Sequence, residues 1–242
     1  MASKDKLKRF AENETFNNVI QPKFDEVWKT EYSLNGKWAK SFFYNNNPIV
    51  LELGCGKGEY TVNLAKKYPN KNFIGIDIKG ARFWRGAKTA IQENITNVAF
   101  IRTRIEFLES FFAKNEISEI WITFPDPQLK SRRTKKRLTS SRFLNMYQNV
   151  LNDSGIVHLK TDSQELHAYT KYILKHNSVE PIIKTENLYN SEFVNDELEI
   201  KTFYEKSYLE IGKTITYLKF KAEKLFEEPE ILEHEEIVEK LK

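Results

Sequence analysis

The stretch Ile49-Val-Leu-Glu-Leu-Gly-Cys-Gly-Lys-Gly58 constrains this chain more than any other. Ile49, Val50 and Leu51 form the short apolar run expected of a buried parallel strand. Gly54, Gly56 and Gly58, at alternate positions, then permit a tight turn and a close backbone approach, because no Cβ intrudes. Tyr60 to Lys67 reads as the opening of a helix, whose first N–H groups face whatever occupies the turn. Strand, glycine turn and helix is the layout of a nucleotide-cofactor site. The spacing is G-x-G-x-G rather than the G-x-G-x-x-G of dinucleotide sites. Glu52 is awkward for a pyrophosphate and suits a ligand with a cationic amino-acid part. S-adenosylmethionine, with an ammonium and a sulfonium, meets that description. The residues alone leave a second reading open, a glycine turn that only closes a βα unit.

The chain alternates from Pro48 onward. Strands are expected at Asn72–Asp77, Val98–Arg102, Ile120–Phe124 and Ile156–Lys160, with helices over Ala81–Asn94 and Ser140–Leu151 and a turn at Asn152–Gly155. Residues 167–176 read as helical, Pro181–Lys184 as a further strand, and Thr214–Phe220 as a more exposed or antiparallel one. Such alternation implies a mostly parallel sheet with helices on both faces. Asp77 lies about 20 residues past the glycine turn, where an acidic side chain accepts hydrogen bonds from a ribose diol; a plain helix N-cap is the alternative. Residues 1–47 read as an N-terminal segment. Its first twenty residues form a loosely attached arm bearing Lys4, Lys6, Lys8 and Arg9, either a nucleic-acid contact or a solvated tail. The rest packs through Trp28, Tyr32, Trp38, Phe42, Phe43 and Tyr44. Residues 48–220 form the alternating domain, and 221–242 an acidic tail, read as solvated, with a short helix after Pro229.

Composition excludes several classes. Mean hydropathy is −0.58 and no apolar run approaches 18 residues, so a membrane span is not expected. The N-terminus has no apolar core of a signal peptide, and the single cysteine, Cys55, builds no disulfide framework, so a cytosolic location is expected. The four histidines show no ligand spacing, and no metal is expected. Net charge is only +4, but the cations cluster. Lys130, Arg132, Arg133, Lys135, Lys136 and Arg137 crowd the end of the fourth expected strand, just where open α/β sheets bind ligands. Phosphate is the natural partner of that density; a solvated basic loop is the bland alternative. Arg82, Arg85 and Arg142 extend the patch. Pro125 and Pro127 stiffen the backbone around Asp126.

Glu52-Leu-Gly-Cys-Gly-Lys-Gly58, Ile74-Gly-Ile-Asp77, Phe124-Pro-Asp-Pro with its basic run, Lys160-Thr-Asp162 and Lys201-Thr-Phe-Tyr-Glu-Lys206 occur in an order that resembles the bacterial tRNA (guanine-N(7)-)-methyltransferases. The resemblance implies an α/β, Rossmann-like class I methyltransferase fold with seven strands over 48–220. It implies S-adenosyl-L-methionine as cofactor, tRNA as partner, and methyl transfer to N7 of guanine at position 46 of the variable loop. By position, Glu52, Gly54, Gly56, Gly58, Asp77, Arg104 and Asp126 fall to the cofactor, and Asp126 also to catalysis. Lys130, Asp162, Thr202, Tyr204 and Glu205 fall to the substrate, and the charge of the basic run gives Arg132, Arg133, Lys135, Lys136 and Arg137 to the RNA backbone. The chain departs from the family at Gln128-Leu129, where Trp-Pro is common, and at Arg133, where a histidine stands. It departs again at Arg104, where an acidic residue faces adenine; backbone groups around Arg104 and Ile105, or Glu106, would then read that ring. Guanine N7 carries an exposed lone pair, so the reaction requires positioning and a carboxylate for developing positive charge rather than a general base. The competing readings are a methyltransferase with a non-tRNA substrate, a non-catalytic RNA-binding protein with a Rossmann-like domain, and a dinucleotide oxidoreductase, the last disfavoured by the glycine spacing.

Overall fold

A computed structural model of the chain describes residues 2–230 and 232–241; the side chains of residues 2–4, Lys4 of the expected basic arm among them, lie outside that description. The elements are α1 (Ala2–Thr15), β1 (Val19–Ile20), β2 (Ile49–Leu53), α2 (Glu59–Lys67), β3 (Asn72–Ile76), α3 (Gly80–Gln92), β4 (Val98–Ile101), α4 (Leu108–Phe111), β5 (Ile117–Thr123), α5 (Ser141–Val150), β6 (Leu151–Thr161), α6 (Gln164–His176), β7 (Ile183–Thr185), α7 (Phe203–Glu210), β8 (Thr216–Lys221) and α8 (His234–Leu241). The strand order is β1-β4-β3-β2-β5-β6-β8-β7. Eight strands replace the seven expected. The addition is β1, a two-residue strand pairing Val19 with Phe100 and Ile20 with Ile101, too short to leave a periodic signature. The chain forms two compact units, 1–120 and 121–242, and β5 carries the backbone from one to the other.

In the first unit, β2, β3 and β4 pair in parallel, Ile49 opposite Asn72 and Phe73 opposite Val98. Every residue of these three strands is buried. Successive side chains point to opposite faces, so both faces are covered, as a parallel sheet requires. The N-terminal segment differs from the loosely attached arm expected. Ala2–Thr15 is α1, docked on α3: Asn13 is buried and donates Nδ2 to the Gly80 carbonyl at 2.9 Å. The Arg9 and Lys88 cations lie 5.0 and 4.8 Å from the Trp84 ring, and Arg102 lies 4.5 Å from Phe10. Leu7, by contrast, is exposed. The Arg9–Trp84 and Arg102–Phe10 contacts, one buried amide and the Glu12 carboxylate, which accepts from Trp84 Nε1 and pairs with Lys88, hold this helix, so it carries little of the apolar stripe that betrays a docked helix in sequence. Trp38, fully buried in a π turn over Trp38–Phe42, donates Nε1 to the Phe111 carbonyl at 2.8 Å.

In the second unit, β8 pairs antiparallel with β6 and β7, as its alternating pattern led us to expect. In place of the turn expected at Asn152–Gly155, β6 runs on through these residues, with Ser154 N donating to Asn152 Oδ1 at 3.1 Å. Helix α6 starts at Gln164, capped by Ser163 Oγ accepting from Leu166 N, so Asp162 is not its cap. The acidic tail is not free in solvent. Phe226 is buried and exchanges hydrogen bonds with Asn145 at 2.7 and 2.9 Å, Glu228 binds Ser141 and Tyr169, and α8 packs on α6.

Candidate active site

The glycine turn begins where β2 ends. Gly54, Gly56 and Gly58 have φ of +75°, +55° and +72°, a region L side chains rarely adopt. Their surroundings separate them. A Cβ on Gly54 would meet nothing within 4 Å, and one on Gly56 would meet only the Gly54 carbonyl at 4.0 Å. Space beside two bare backbones is a cradle into which a ligand fits. A Cβ on Gly58 would stand 2.5 Å from Phe100 Cε1 and 3.4 Å from Gly86 Cα. The side of Gly58 where a Cβ would stand is thus filled by packing between the turn and the sheet, unlike that of Gly54 or Gly56.

Gly58 is also the N-cap of α2 and brings no side chain to cap with. Glu52 takes over that task. It is 3% exposed, and its Oε2 accepts from Thr61 N at 2.9 Å and from the Thr61 hydroxyl. A carboxylate at the N-terminus of a helix is favoured by the helix dipole as well. Asp77, half-buried just past β3, accepts from Gly56 N at 3.0 Å and Lys79 N at 2.7 Å, one bond on each oxygen. These bonds aim the carboxylate and tie it to the turn. An ionised carboxylate has about four lone-pair sites, so acceptor capacity for a ribose diol remains. Buried Cys55 has its thiol pushed well above the ordinary range by burial, then by Glu52 and Asp77, so it packs as a small apolar group. Arg104 is exposed and caps no helix with its side chain. Open glycine backbone, a buried carboxylate and an aimed carboxylate fit an aminoacyl nucleoside such as S-adenosylmethionine.

In the second unit the chain leaves β5 into Phe124-Pro-Asp-Pro-Gln-Leu. Phe124 N still donates to Lys160 O at 2.8 Å. Phe124 and Gln128 both sit at φ +49°, a conformation that costs a non-glycine residue about 1 kcal/mol or more. Between them Asp126 is exposed, its Oδ1 accepting from Gln128 N at 3.0 Å. The carboxylate is thus held by its own turn and open to solvent. A 3-10 turn, Ser131–Lys136, follows. Lys130, Arg132, Arg133, Lys135 and Lys136 are exposed along it, but Arg137 is 8% exposed and lies 4.3 Å from the Tyr169 ring. Arg137 is therefore removed from the expected RNA-backbone residues. Its Nε donates to Gln128 O at 3.3 Å, so it supports the Asp126 loop from behind.

The late residues divide in the same way. Thr202 caps α7, accepting from Glu205 N at 3.2 Å, while Glu205 accepts from Thr202 N at 3.2 Å. Tyr204 is exposed, whereas Glu205 is fully buried. The Glu205 carboxylate pairs with Lys160 Nζ at 2.8 Å, also fully buried, and accepts from Tyr189 Oη at 2.5 Å. Lys160 further donates to the carbonyls of Leu198 and Ile200 at 2.8 and 3.0 Å. Burial lowers the Lys160 pKa and Glu205 opposes the shift. Sequence reasoning assigned Glu205 to substrate; it is instead the counter-ion of Lys160, and the pair fixes the 189–205 loop that presents Thr202 and Tyr204. Asp162, half-buried, pairs with Lys213 Nζ at 2.5 Å. Lys160 stood in a motif without an assigned role. A lysine following Val157 and Leu159 at the inner end of a strand is the signal that marks it, since a buried ammonium requires a carboxylate.

The family model Methyltransf_4, described as "Putative methyltransferase", matches residues 46–218. A tRNA (guanine-N(7)-)-methyltransferase of Christiangramia forsetii is 60% identical over 222 residues, covering 91% of this chain and 99% of that protein. Another so named, from Porphyromonas gingivalis, is 53% identical over 210 residues, 86% of this chain and 85% of its own length. Among solved structures, the 16S rRNA methyltransferase KamB superposes with a TM-score of 0.58 at 12% identity, covering 83% of this chain and 96% of that one, a likeness of fold alone. The expected methyltransferase fold is borne out, with one strand more than the seven foreseen. On identity and coverage together, this chain belongs to the tRNA (guanine-N(7)-)-methyltransferase family.

Proposed function

We propose that the protein methylates N7 of a tRNA guanine, that of position 46 in the variable loop, using S-adenosyl-L-methionine. The observation that carries the reading is the end of β5: a carboxylate locked by its own turn and left open to solvent, followed by five exposed cations within ten residues, Asp126 and then Lys130, Arg132, Arg133, Lys135 and Lys136. The bound donor supplies an electrophilic methyl on a sulfonium. Gly54 and Gly56 admit it closely, Asp77 accepts from its ribose, and Glu52 orders the turn beneath its charged amino-acid end.

Guanine N7 attacks with its own lone pair, so no side chain has to remove a proton. The N–C bond would form as the donor's methyl–sulfur bond breaks, its electron pair staying on sulfur in the neutral thioether product, S-adenosylhomocysteine; the positive charge passes to the purine, and Asp126 stabilises that charge as it develops. The same carboxylate, exposed before binding, accepts from guanine N–H donors. The cations hold the phosphates, Thr202 and Tyr204 meet the nucleotide, and Asp162 contributes through its polar edge beside Lys213. Family membership with relatives named for this reaction supports the substrate class. A cytosolic location goes with such a substrate; no helix among the described residues is long and apolar enough to cross a membrane.

The test is incubation with labelled S-adenosylmethionine and an unmodified tRNA transcript, followed by mapping of the labelled nucleotide. We expect 7-methylguanine in the variable loop. Asp126→Ala should lower turnover by about a hundredfold or more with donor affinity unchanged. Label at another base, or full turnover in Asp126→Ala, overturns the corresponding part of the reading.

A further inference from the structure

The acidic segment after β8 is tied into the fold at specific points. Phe226 is locked by Asn145, and Glu227 N donates to Asn177 Oδ1 at 2.7 Å while the Glu227 carbonyl accepts from Asn177 Nδ2 at 2.9 Å. These contacts fix the backbone just ahead of Glu228. Its Oε2 accepts from Ser141 N at 2.9 Å and Ser141 Oγ at 2.7 Å, at the first residue of α5. Its Oε1 accepts from Tyr169 Oη at 2.5 Å. The Tyr169 ring in turn carries the Arg137 guanidinium, which donates Nε to Gln128 O at 3.3 Å and lies with Nη2 3.5 Å from Leu129 O.

We propose that Glu228 is a positioning residue for the Asp126 loop, acting through Tyr169 and Arg137. The inference rests on the reading of Asp126 given above. Between Thr123 and Ser131 the loop has no ladder of its own, and Gln128 is held in a left-handed conformation that its side chain disfavours. Arg137 supplies the donor that keeps the Gln128 carbonyl in place while the Gln128 N–H holds Asp126. A buried guanidinium needs negative charge nearby to remain there rather than turn to water. Burial works against its charge, and Tyr169, Glu228 and Glu233 work for it. Of the two carboxylates, Glu228 is anchored to both Ser141 and Tyr169, whereas Glu233 reaches the loop by one exposed bond to Ser131 Oγ at 2.8 Å. The aromatic ring keeps the fork flat, so its donors point at the loop carbonyls and not at phosphate.

Steady-state kinetics on the full chain test this with Glu228→Gln, Tyr169→Phe and Arg137→Gln. Glu228→Gln keeps the shape and loses the charge; Tyr169→Phe keeps the ring and cuts the link. We expect kcat to fall about tenfold in Glu228→Gln and Arg137→Gln and severalfold in Tyr169→Phe. KM for S-adenosylmethionine should stay within twofold, because Glu52, Gly54, Gly56 and Asp77, which hold the donor in that reading, lie far from this loop in the chain. The double variant Glu228→Gln with Arg137→Gln should be no slower than Arg137→Gln alone, the signature of residues that act in series. Unchanged kcat in Glu228→Gln and Tyr169→Phe overturns the proposal, as do effects that multiply in the double variant or fall on KM for the donor. Asp126→Ala run beside them separates the two readings: full turnover there removes Asp126 from the chemistry, while the coupling between positions 228 and 137 still decides the link.

Discussion

At the residue scale, three glycines of one motif do different things, and the difference is measurable. Gly54→Ala meets no atom, so its cost is the left-handed backbone alone, about 1 kcal/mol. Gly58→Ala carries that cost and also drives a methyl into Phe100 and Gly86, adding about 1–3 kcal/mol of overpacking. Urea unfolding should therefore show Gly58→Ala as the more destabilised variant, and calorimetry should show Gly54→Ala as the one whose donor affinity drops at nearly intact stability. Equal stability of the two variants would contradict the division. The motif was legible in sequence because glycine spacing is local. Which glycine borders open space and which faces Phe100 was not, because Phe100 arrives from β4, more than forty residues on. The same holds for Arg137. Read along the chain it is one cation in a run of six; in the fold it is the one that turns inward.

At the element scale, strands and helices with an apolar rhythm were read nearly to their ends, and the elements held by polar contacts were not. Helix α8, the short helix expected after Pro229, packs on α6 where a solvated tail was expected. It closes a cleft of about 330 Å³ lined by Gln164, His167 and Lys171 of α6, by Glu186, and by His234 and Val238. His167 is buried, and neither ring nitrogen has a protein partner. Its pKa is depressed to about 4, first by burial and then by Lys171, with Glu186 opposing. Between pH 6.5 and 4 the unfolded chain then binds a proton that the native state refuses. Stability falls as pH falls through that window, by up to about 3 kcal/mol from this group, and the loss is complete below pH 4. Urea midpoints at pH 7 and pH 4.5 should lie further apart in the wild type than in His167→Gln. An identical separation would show that His167 accepts its proton without cost.

At the scale of the whole molecule, a small net charge conceals a local concentration of cations, and the prediction concerns salt. Replacing Lys135 and Lys136 together by Glu should weaken tRNA binding and lower the slope of log affinity against log salt by about 1.5, with donor affinity unchanged. An unaltered slope would remove these exposed lysines from the phosphate contacts. By itself the sequence determined the alternation of strands and helices, the glycine turn, the acidic residues at strand ends and the basic run, because each depends on neighbours within a few residues. Tertiary structure alone decided which charges stay outside and which are spent inside. Buried Arg137, Glu205 and Lys160 have the same composition as surface residues and differ only in what the fold places against them. A buried charge persists only with its partner in contact, and those partners, Tyr169 for Arg137 and Lys160 for Glu205, stand thirty to forty-five residues away.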